Sequence, residues 1–299
     1  METKRSDGNG FRHASGYLET DGFRLFYQSW LPENPREVMV VAHGLGEHSG
    51  RYGNLVDYFV PRGYGIFAAD HRGHGRSSGI RGHVGSFLEY RDDLAAFVRK
   101  VVRETQREKV ILVGHSLGGL IATGYGLRYP ETLLCLVLSS PALRTHKPPP
   151  RIKANLGKVL AHVAPKLLMR NEIDPSHISR DQGVVKAYLE DPLVHDRVSP
   201  RFFVEFLKET ERVFQDAAWL SVPLLLLQAG DDRLVSATAS REFFDRAGSK
   251  DKELKVYPGH YHELFNEPEK EQVFGDMMSW LGRGGGPGAV SPSSSSSRS

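Results

Sequence analysis

The chain has 299 residues, 39% of them hydrophobic and 25% charged, which is the balance of a folded protein with a sizeable core. A net charge of +3 is too small an excess to argue for a nucleic-acid partner, and no run approaches the ~18 apolar residues of a membrane span. The single cysteine, Cys135, lies in the apolar run LLCLVLSS, so an intrachain disulfide is excluded and a buried thiol in a reducing compartment is expected.

The opening METKRSDGNGFRH has no apolar segment of the secretory kind, so a cytoplasmic location is expected, with residues 1–14 as a flexible N-terminus. GYLETDGFRLFYQSWLP sets Asp21-Gly22 between two alternating segments and predicts a β-hairpin. VMVVAH from Val38, YGIFAAD from Tyr64, VILVGHS from Val110, LLCLVLSS from Leu133 and VPLLLLQAGD from Val222 are short, nearly continuous apolar runs. Such runs predict strands buried on both faces, as in a parallel sheet. Helical spacing fills the gaps over 88–107, 117–129, 236–247 and 268–281. The alternation predicts a doubly wound, mostly parallel α/β core over 15–143 and 200–282. Residues 144–199 show no strand pattern and predict a helical cap over the carboxyl edge of the sheet. The Gly/Ser-rich tail, 283–299, is expected to be disordered.

Gly114-His115-Ser116-Leu117-Gly118 reads G-x-S-x-G between the strand VILV and the helix LGGLIATGYGLRY. A sharp strand-to-helix turn of this kind exposes a serine Oγ beside a helix N-terminus, and its glycines let helix and strand approach. Ser116 is therefore the candidate nucleophile. Serine needs a base, and the base needs an orienting carboxylate; on such a fold the chain order is Ser, then Asp or Glu, then His. After LLLLQ, Ala229-Gly230-Asp231-Asp232-Arg233-Leu234-Val235 offers two aspartates. Asp232 is favoured as sitting deeper in the loop and Asp231 as capping the turn. After the last strand, LKVYPGHYHELF offers His260 and His262. His262 is favoured, with His260, next to Gly259, expected to be exposed. An oxyanion would be met by the N–H of Leu117 and by a second donor in His43-Gly44-Leu45-Gly46-Glu47-His48, with Leu45 as the donor and Gly44 among the groups that meet the substrate. DHRGHGRS supplies His71 and His74, which lack a third metal ligand of suitable spacing and predict a structural loop; Asp70 is the other strand-end acid.

These residues carry a resemblance. HGLGEHSGRY, DHRGHGRSSG, GHSLGG, AGDDRLV and GHYHELFNE are similar to the monoacylglycerol lipase and lysophospholipase-like branch of the α/β hydrolases, over about residues 15–282. The resemblance implies an α/β-hydrolase fold, a catalytic triad of Ser116, Asp232 and His262, and an oxyanion hole at Leu45 and Leu117. It implies no cofactor and no metal. It implies a lipid monoester as substrate, cleaved through an acyl-enzyme, with Glu47, Arg51 and Tyr188 at the glycerol end. Glu47 and Arg51 also read as a simple pair that stiffens their loop. The animal members carry a second histidine three residues after the catalytic one, where this chain has Phe265.

From Arg144 to Arg170 there are seven Lys or Arg and no Asp or Glu, and Ile152, Leu156, Val159, Leu160 and Val163 recur at helical spacing. Such a segment reads either as a peripheral membrane contact or as a cap helix whose apolar face covers the pocket and whose basic face is solvated. Oligomeric state is not legible. A lysophospholipase or general carboxylesterase is the nearest alternative. An aminopeptidase would need the cap carboxylates Glu172, Asp174 or Glu190, a transacylase would use the same triad, and a non-catalytic scaffold would be expected to lack a triad member.

Overall fold

The computed structural model describes residues 2–4, 10–147 and 150–283. Strand β1 (Glu2–Lys4) pairs antiparallel with β2 (Phe11–Thr20), which pairs antiparallel with β3 (Phe23–Pro32). The hairpin turns at Asp21 and Gly22, both with positive φ, the two-residue turn whose twist matches the strands it joins. Strand β2 begins at Phe11, so the flexible segment expected over 1–14 is corrected: Phe11, Arg12, His13 and Ala14 lie in the ladder. Alternation of His13 and Trp30 stacking (ring centroids 5.0 Å apart) and a buried Ala14 anchor it there. The tail beyond Arg283 falls outside the described residues.

Then follow β4 (Glu37–Ala42), α1 (Gly53–Phe59), β5 (Tyr64–Ala69), α2 (Leu88–Thr105), β6 (Val110–His115), α3 (Leu117–Arg128) and β7 (Leu133–Ser139). The segment above the sheet holds α4 (Arg151–Val163), β8 (Met169–Arg170), α5 (Gln182–Glu190) and β9 (Arg197–Val198). The chain closes with α6 (Pro200–Asp216), β10 (Leu224–Ala229), α7 (Ala237–Arg246), β11 (Lys252–Tyr257) and α8 (Lys270–Gly282). The main sheet runs β1-β2-β3-β5-β4-β6-β7-β10-β11, and the six strands from β5 to β11 are mutually parallel. Successive side chains of each strand point to opposite faces. Val38, Val40, Leu112, Leu136 and Leu224 pack under α2, α3, α6 and α7, while Met39, Val41, Ile111, Val137 and Leu225 pack under α1 and α8.

From β4 the chain goes to β5 on one side and, two crossovers later, to β6 on the other. Strands β4 and β6 stay paired to Ala42 and Gly114, but the chain leaves them in opposite directions, and an open α/β sheet forms its ligand crevice at such a switch point. His43 to Gly46 leave β4 there, and Ser116 leaves β6 there.

Three elements in and just after the upper segment differ from expectation. Strands β8 and β9 form a short antiparallel ladder, Met169 with Val198 and Arg170 with Arg197, where only helix was expected; two residues are too few for a periodic signal. Helix α6 had no sequence assignment. It starts at a Ser199 cap, whose Oγ accepts the Phe202 N–H at 3.1 Å, with Pro200 in the first turn.

Candidate active site

Ser116 sits between β6 and α3 with φ +51° and ψ −118°, a conformation costly for a residue with a Cβ. Its neighbours hold it. The Ser116 N–H donates to Ser139 O at 3.0 Å, and its carbonyl accepts from Gly119, Leu120 and Ala142. A Cβ on Gly118 would lie 2.0 Å from Ala42 O, and one on Gly114 would lie 2.6 Å from Gly118 O. Only glycine lets the helix descend this far onto β4 and β6.

Ser116, Leu45, Leu117 and His262 line one cavity of about 840 Å³. Its walls are mostly apolar: Ala142, Ile173, Val198, Phe202, Phe203, Phe206, Leu234 and Val235. Thr145, His146, Lys147, Asn171, Glu172, Asp174, His177 and Arg233 supply the polar lining. The residues of α6 are thus the principal aromatic wall, a role that sequence reading left unassigned.

His262 is buried, and its Nδ1 lies 2.8 Å from Asp232 Oδ2. Asp232 Oδ1 accepts the N–H groups of Leu234 and Val235, each at 2.9 Å, which fixes the carboxylate. With Nδ1–H directed at a carboxylate, Nε2 is the nitrogen left to take a proton. Burial works to lower the His262 pKa, but the Asp232 charge and hydrogen bond outweigh it and raise it above the ordinary imidazole value. Burial likewise works to raise Asp232, and His262 outweighs it, holding the carboxyl below its usual range. Asp231 is exposed, and only its backbone N–H, to His260 O at 3.1 Å, touches this loop.

His260 is buried, which corrects the expectation of exposure. Gly259, at φ +76°, turns the chain so that the ring packs on Tyr257 and Nδ1 meets Pro258 O at 3.1 Å. His260 also stands near Glu267 and Glu269 in a metal-like grouping. That grouping already holds a cation: Arg180 Nε donates to Glu267 at 2.6 Å and its Nη2 to Glu269. His115, beside Ser116, points at Ser139, and its ring centroid lies 4.9 Å from that of His262 with the planes tilted by 51°; burial pushes it down to about 4.

Gly44, Glu47, Arg51 and Tyr188 come together, but behind the lining of the large cavity. Glu47 Oε1 accepts the Gly44 N–H at 2.5 Å and the Tyr52 hydroxyl at 2.8 Å. Arg51 donates to Glu47 Oε2 at 2.9 Å and lies 4.8 Å from the Tyr188 ring centroid. Burial works against the Glu47 charge, and Arg51 outweighs it, keeping the carboxyl below its usual range. The sequence missed a further partner, Glu263, which Arg51 grips through two bonds of 2.6 and 2.9 Å. Phe265 is buried against Phe274 rather than offered to a substrate.

His71 and His74 pack with His43 and His195 beneath the Gly44 loop, with ring centroids 4.0 Å (His43–His71) and 4.8 Å (His74–His195) apart. Their nitrogens are largely engaged by backbone: His43 Nδ1 with Gly44 O, His71 Nε2 with His43 O, His195 Nε2 with Gly73 O. Asp70 braces the same loops by accepting the Ser49 and Arg76 N–H groups. It stands off the cavity wall.

The fold and this crevice define the α/β-hydrolase class. The family model described as Hydrolase_4, serine aminopeptidase S33, matches residues 33–269, and the chain belongs to that family. A monoacylglycerol lipase of Mycolicibacterium smegmatis is 39% identical over 272 residues, 90% of this chain and 97% of that protein. Phospholipase YtpA of Bacillus subtilis is 36% identical over 253 residues, 82% of this chain and 95% of that one. The crystal structure of a Paleococcus ferrophilus monoacylglycerol lipase superposes with a TM-score of 0.79 at 37% identity, covering 86% of this chain and 98% of its own.

Proposed function

We propose that the protein is a serine esterase of lipid monoesters, with monoacylglycerol as its first substrate and Ser116, His262 and Asp232 as its triad. The observation that carries this is the shared cavity: a strained, partly exposed serine and an Asp232-held histidine open into one mainly apolar space of about 840 Å³. That space suits an acyl chain, and the relatives named monoacylglycerol lipase and phospholipase support a lipid ester.

In this reading Ser116 Oγ attacks the ester carbonyl as His262 Nε2 takes its proton. The N–H groups of Leu45 and Leu117 stabilise the resulting oxyanion. His262 then returns the proton to the glycerol oxygen, the C–O bond breaks, and an acyl-enzyme remains. Water, deprotonated by the same histidine, releases the fatty acid and restores Ser116. Gly44, Glu47, Arg51 and Tyr188 act here chiefly through the loop they brace.

The membrane reading of the upper segment is part of this proposal. Ile152, Leu156, Val159 and Val163 of α4 are exposed, Ile152 by 84%, while the small residues Gly157 and Ala161 face inward, Gly157 against Phe203. These four face outward and are free to meet a bilayer, while Leu160 of the same run is half-buried. Lys158, Lys166 and Arg170 lie exposed on the same segment. We place the enzyme in the cytoplasm, docking peripherally on an anionic bilayer. Among the described residues no helix is long and apolar enough to cross a membrane.

A second reading, an aminopeptidase, draws on Glu172 and Asp174, which line the same cavity as Ser116. Lys147 and Arg233 on that lining oppose an α-ammonium group. The test is fatty-acid release from a long-chain monoacylglycerol, with Ser116→Ala and an aminoacyl anilide run alongside. Release by the wild type and none by the variant supports the esterase. Anilide cleavage without fatty-acid release replaces it with the peptidase.

A further inference from the structure

His262 is carried on a loop that the sequence ties to nothing but its own strand, yet the next residue makes a two-bond ion pair with a distant loop. Glu263 presents both carboxylate oxygens to Arg51, Oε1 to Nη1 at 2.6 Å and Oε2 to Nη2 at 2.9 Å. Asn266 Nδ2 adds a bond to Oε2 at 2.8 Å. The same Arg51 Nη1 holds Glu47 at 2.9 Å, and Glu47 holds the Gly44 N–H, one residue before Leu45. The side chains of Glu47, Arg51 and Glu263 are only 5%, 9% and 6% exposed. A paired fork of this kind fixes direction as well as distance. It joins the loop of the base to the loop of the oxyanion donor across 212 residues of chain.

The charges do not cancel. Two carboxylates meet one guanidinium, so the cluster keeps one buried negative charge. The groups that act on His262 include Asp232 from the β10 loop, Glu47 from the β4 loop and Glu263 beside it, with His115 of β6 against its ring; His177 lies on the cavity wall contributed by the upper segment. Arg233 lines the same cavity beside Asp232. Asp232, Glu263 and Glu47 all favour the charged ring, so the imidazolium formed during turnover meets this excess charge.

We propose that Glu263 is a positioning residue. Through Arg51 it locks the His262 loop to the Gly44–Gly46 loop, and with Glu47 it leaves a buried negative charge that favours the protonated base. The proposal rests on His262 being that base.

The first measurement is a ¹⁵N-histidine NMR titration of His262 in the Ser116→Ala protein, with and without Glu263→Gln. It reads the imidazole whether or not any ester is turned over. Removing a carboxylate beside the ring should lower the midpoint by about half a unit or more. The second is kcat and KM of Glu263→Gln on a long-chain monoacylglycerol and on p-nitrophenyl acetate, which has no glycerol. A loosened base should lose about tenfold in kcat on both, with KM little changed. A midpoint that stays put, a wild-type kcat, or a KM rise confined to the glyceride overturns the proposal, the last by assigning Glu263 to the head group. If Glu263→Gln does not fold, Glu263→Asp takes its place, keeping the charge on a shorter arm. Its kcat should fall while the midpoint holds, and wild-type kcat overturns the idea. If the wild type hydrolyses neither ester, the esterase reading fails and the titration alone decides this one.

Discussion

Ser116 holds a backbone conformation that costs about 1–3 kcal/mol for a residue with a Cβ. The strain persists because Gly114 and Gly118 let α3 press onto the sheet and because the Ser116 N–H and C=O are both bonded. At this scale the two aspartates separate. Asp232 has two backbone donors on one oxygen and His262 on the other, whereas the Asp231 side chain faces solvent. Asp232→Asn should therefore cut kcat by about 10⁴-fold, since an amide no longer holds the tautomer that receives the serine proton. Asp231→Asn should stay within about twofold, as surface changes usually do. Steady-state hydrolysis of the two variants checks this, and the reverse ranking would move the acid to Asp231. The pH profile belongs here too. The His262 pKa is raised, so kcat/KM should fall as pH drops through a midpoint above about 6.5 and hold above it.

At the scale of elements, α4 is the unusual one. A helix on a globular protein ordinarily buries its apolar stripe, and here Ile152, Leu156, Val159 and Val163 face out while Ala161 is buried and Gly157 lies against Phe203 of α6. Burying one aliphatic side chain is worth about 1.5–3 kcal/mol, and each Lys or Arg at an anionic surface about 1 kcal/mol. Replacing Ile152 and Val159 by glutamate should therefore weaken binding to vesicles containing phosphatidylserine at least tenfold. Hydrolysis of p-nitrophenyl acetate in solution should be unaffected. Vesicle co-sedimentation reads the first quantity and an absorbance assay the second. Unchanged binding would remove α4 as the contact.

For the whole molecule, the main consequence is a sensitivity to acid. Burial lowers His43 to about 3, His115 to about 4 and His195 to about 4, and holds His71 and His74 well below the ordinary value. Unfolded, these groups titrate near about 6.5, so between that value and their folded pKa values the unfolded chain binds more protons. Their contribution to stability is whole above about pH 6.5 and is lost progressively as pH falls toward 4 and then 3. His262 has the opposite sign, its contribution being present at low pH and lost as pH rises through its raised pKa, but it is one group against five. The Tm followed by circular dichroism should fall steeply from about pH 6.5 to about pH 4. A Tm that stays level over that window would show that these imidazoles are not held neutral.

By itself the sequence determined what depends on near neighbours. Continuous apolar runs marked the parallel strands, Asp21-Gly22 marked the hairpin, and the glycines around Ser116 marked the sharp turn, because periodicity and backbone freedom are local properties. The family resemblance, read from HGLGEHSGRY, DHRGHGRSSG, GHSLGG, AGDDRLV and GHYHELFNE, is borne out by the Hydrolase_4 match over residues 33–269. Tertiary structure alone decided which groups meet. It turned His260 inward, set α6 as the aromatic wall, faced α4 outward, and brought Glu263 to Arg51 across 212 residues. A side chain's burial and its partner depend on strands and helices far away in the chain, and no spacing within one segment encodes them.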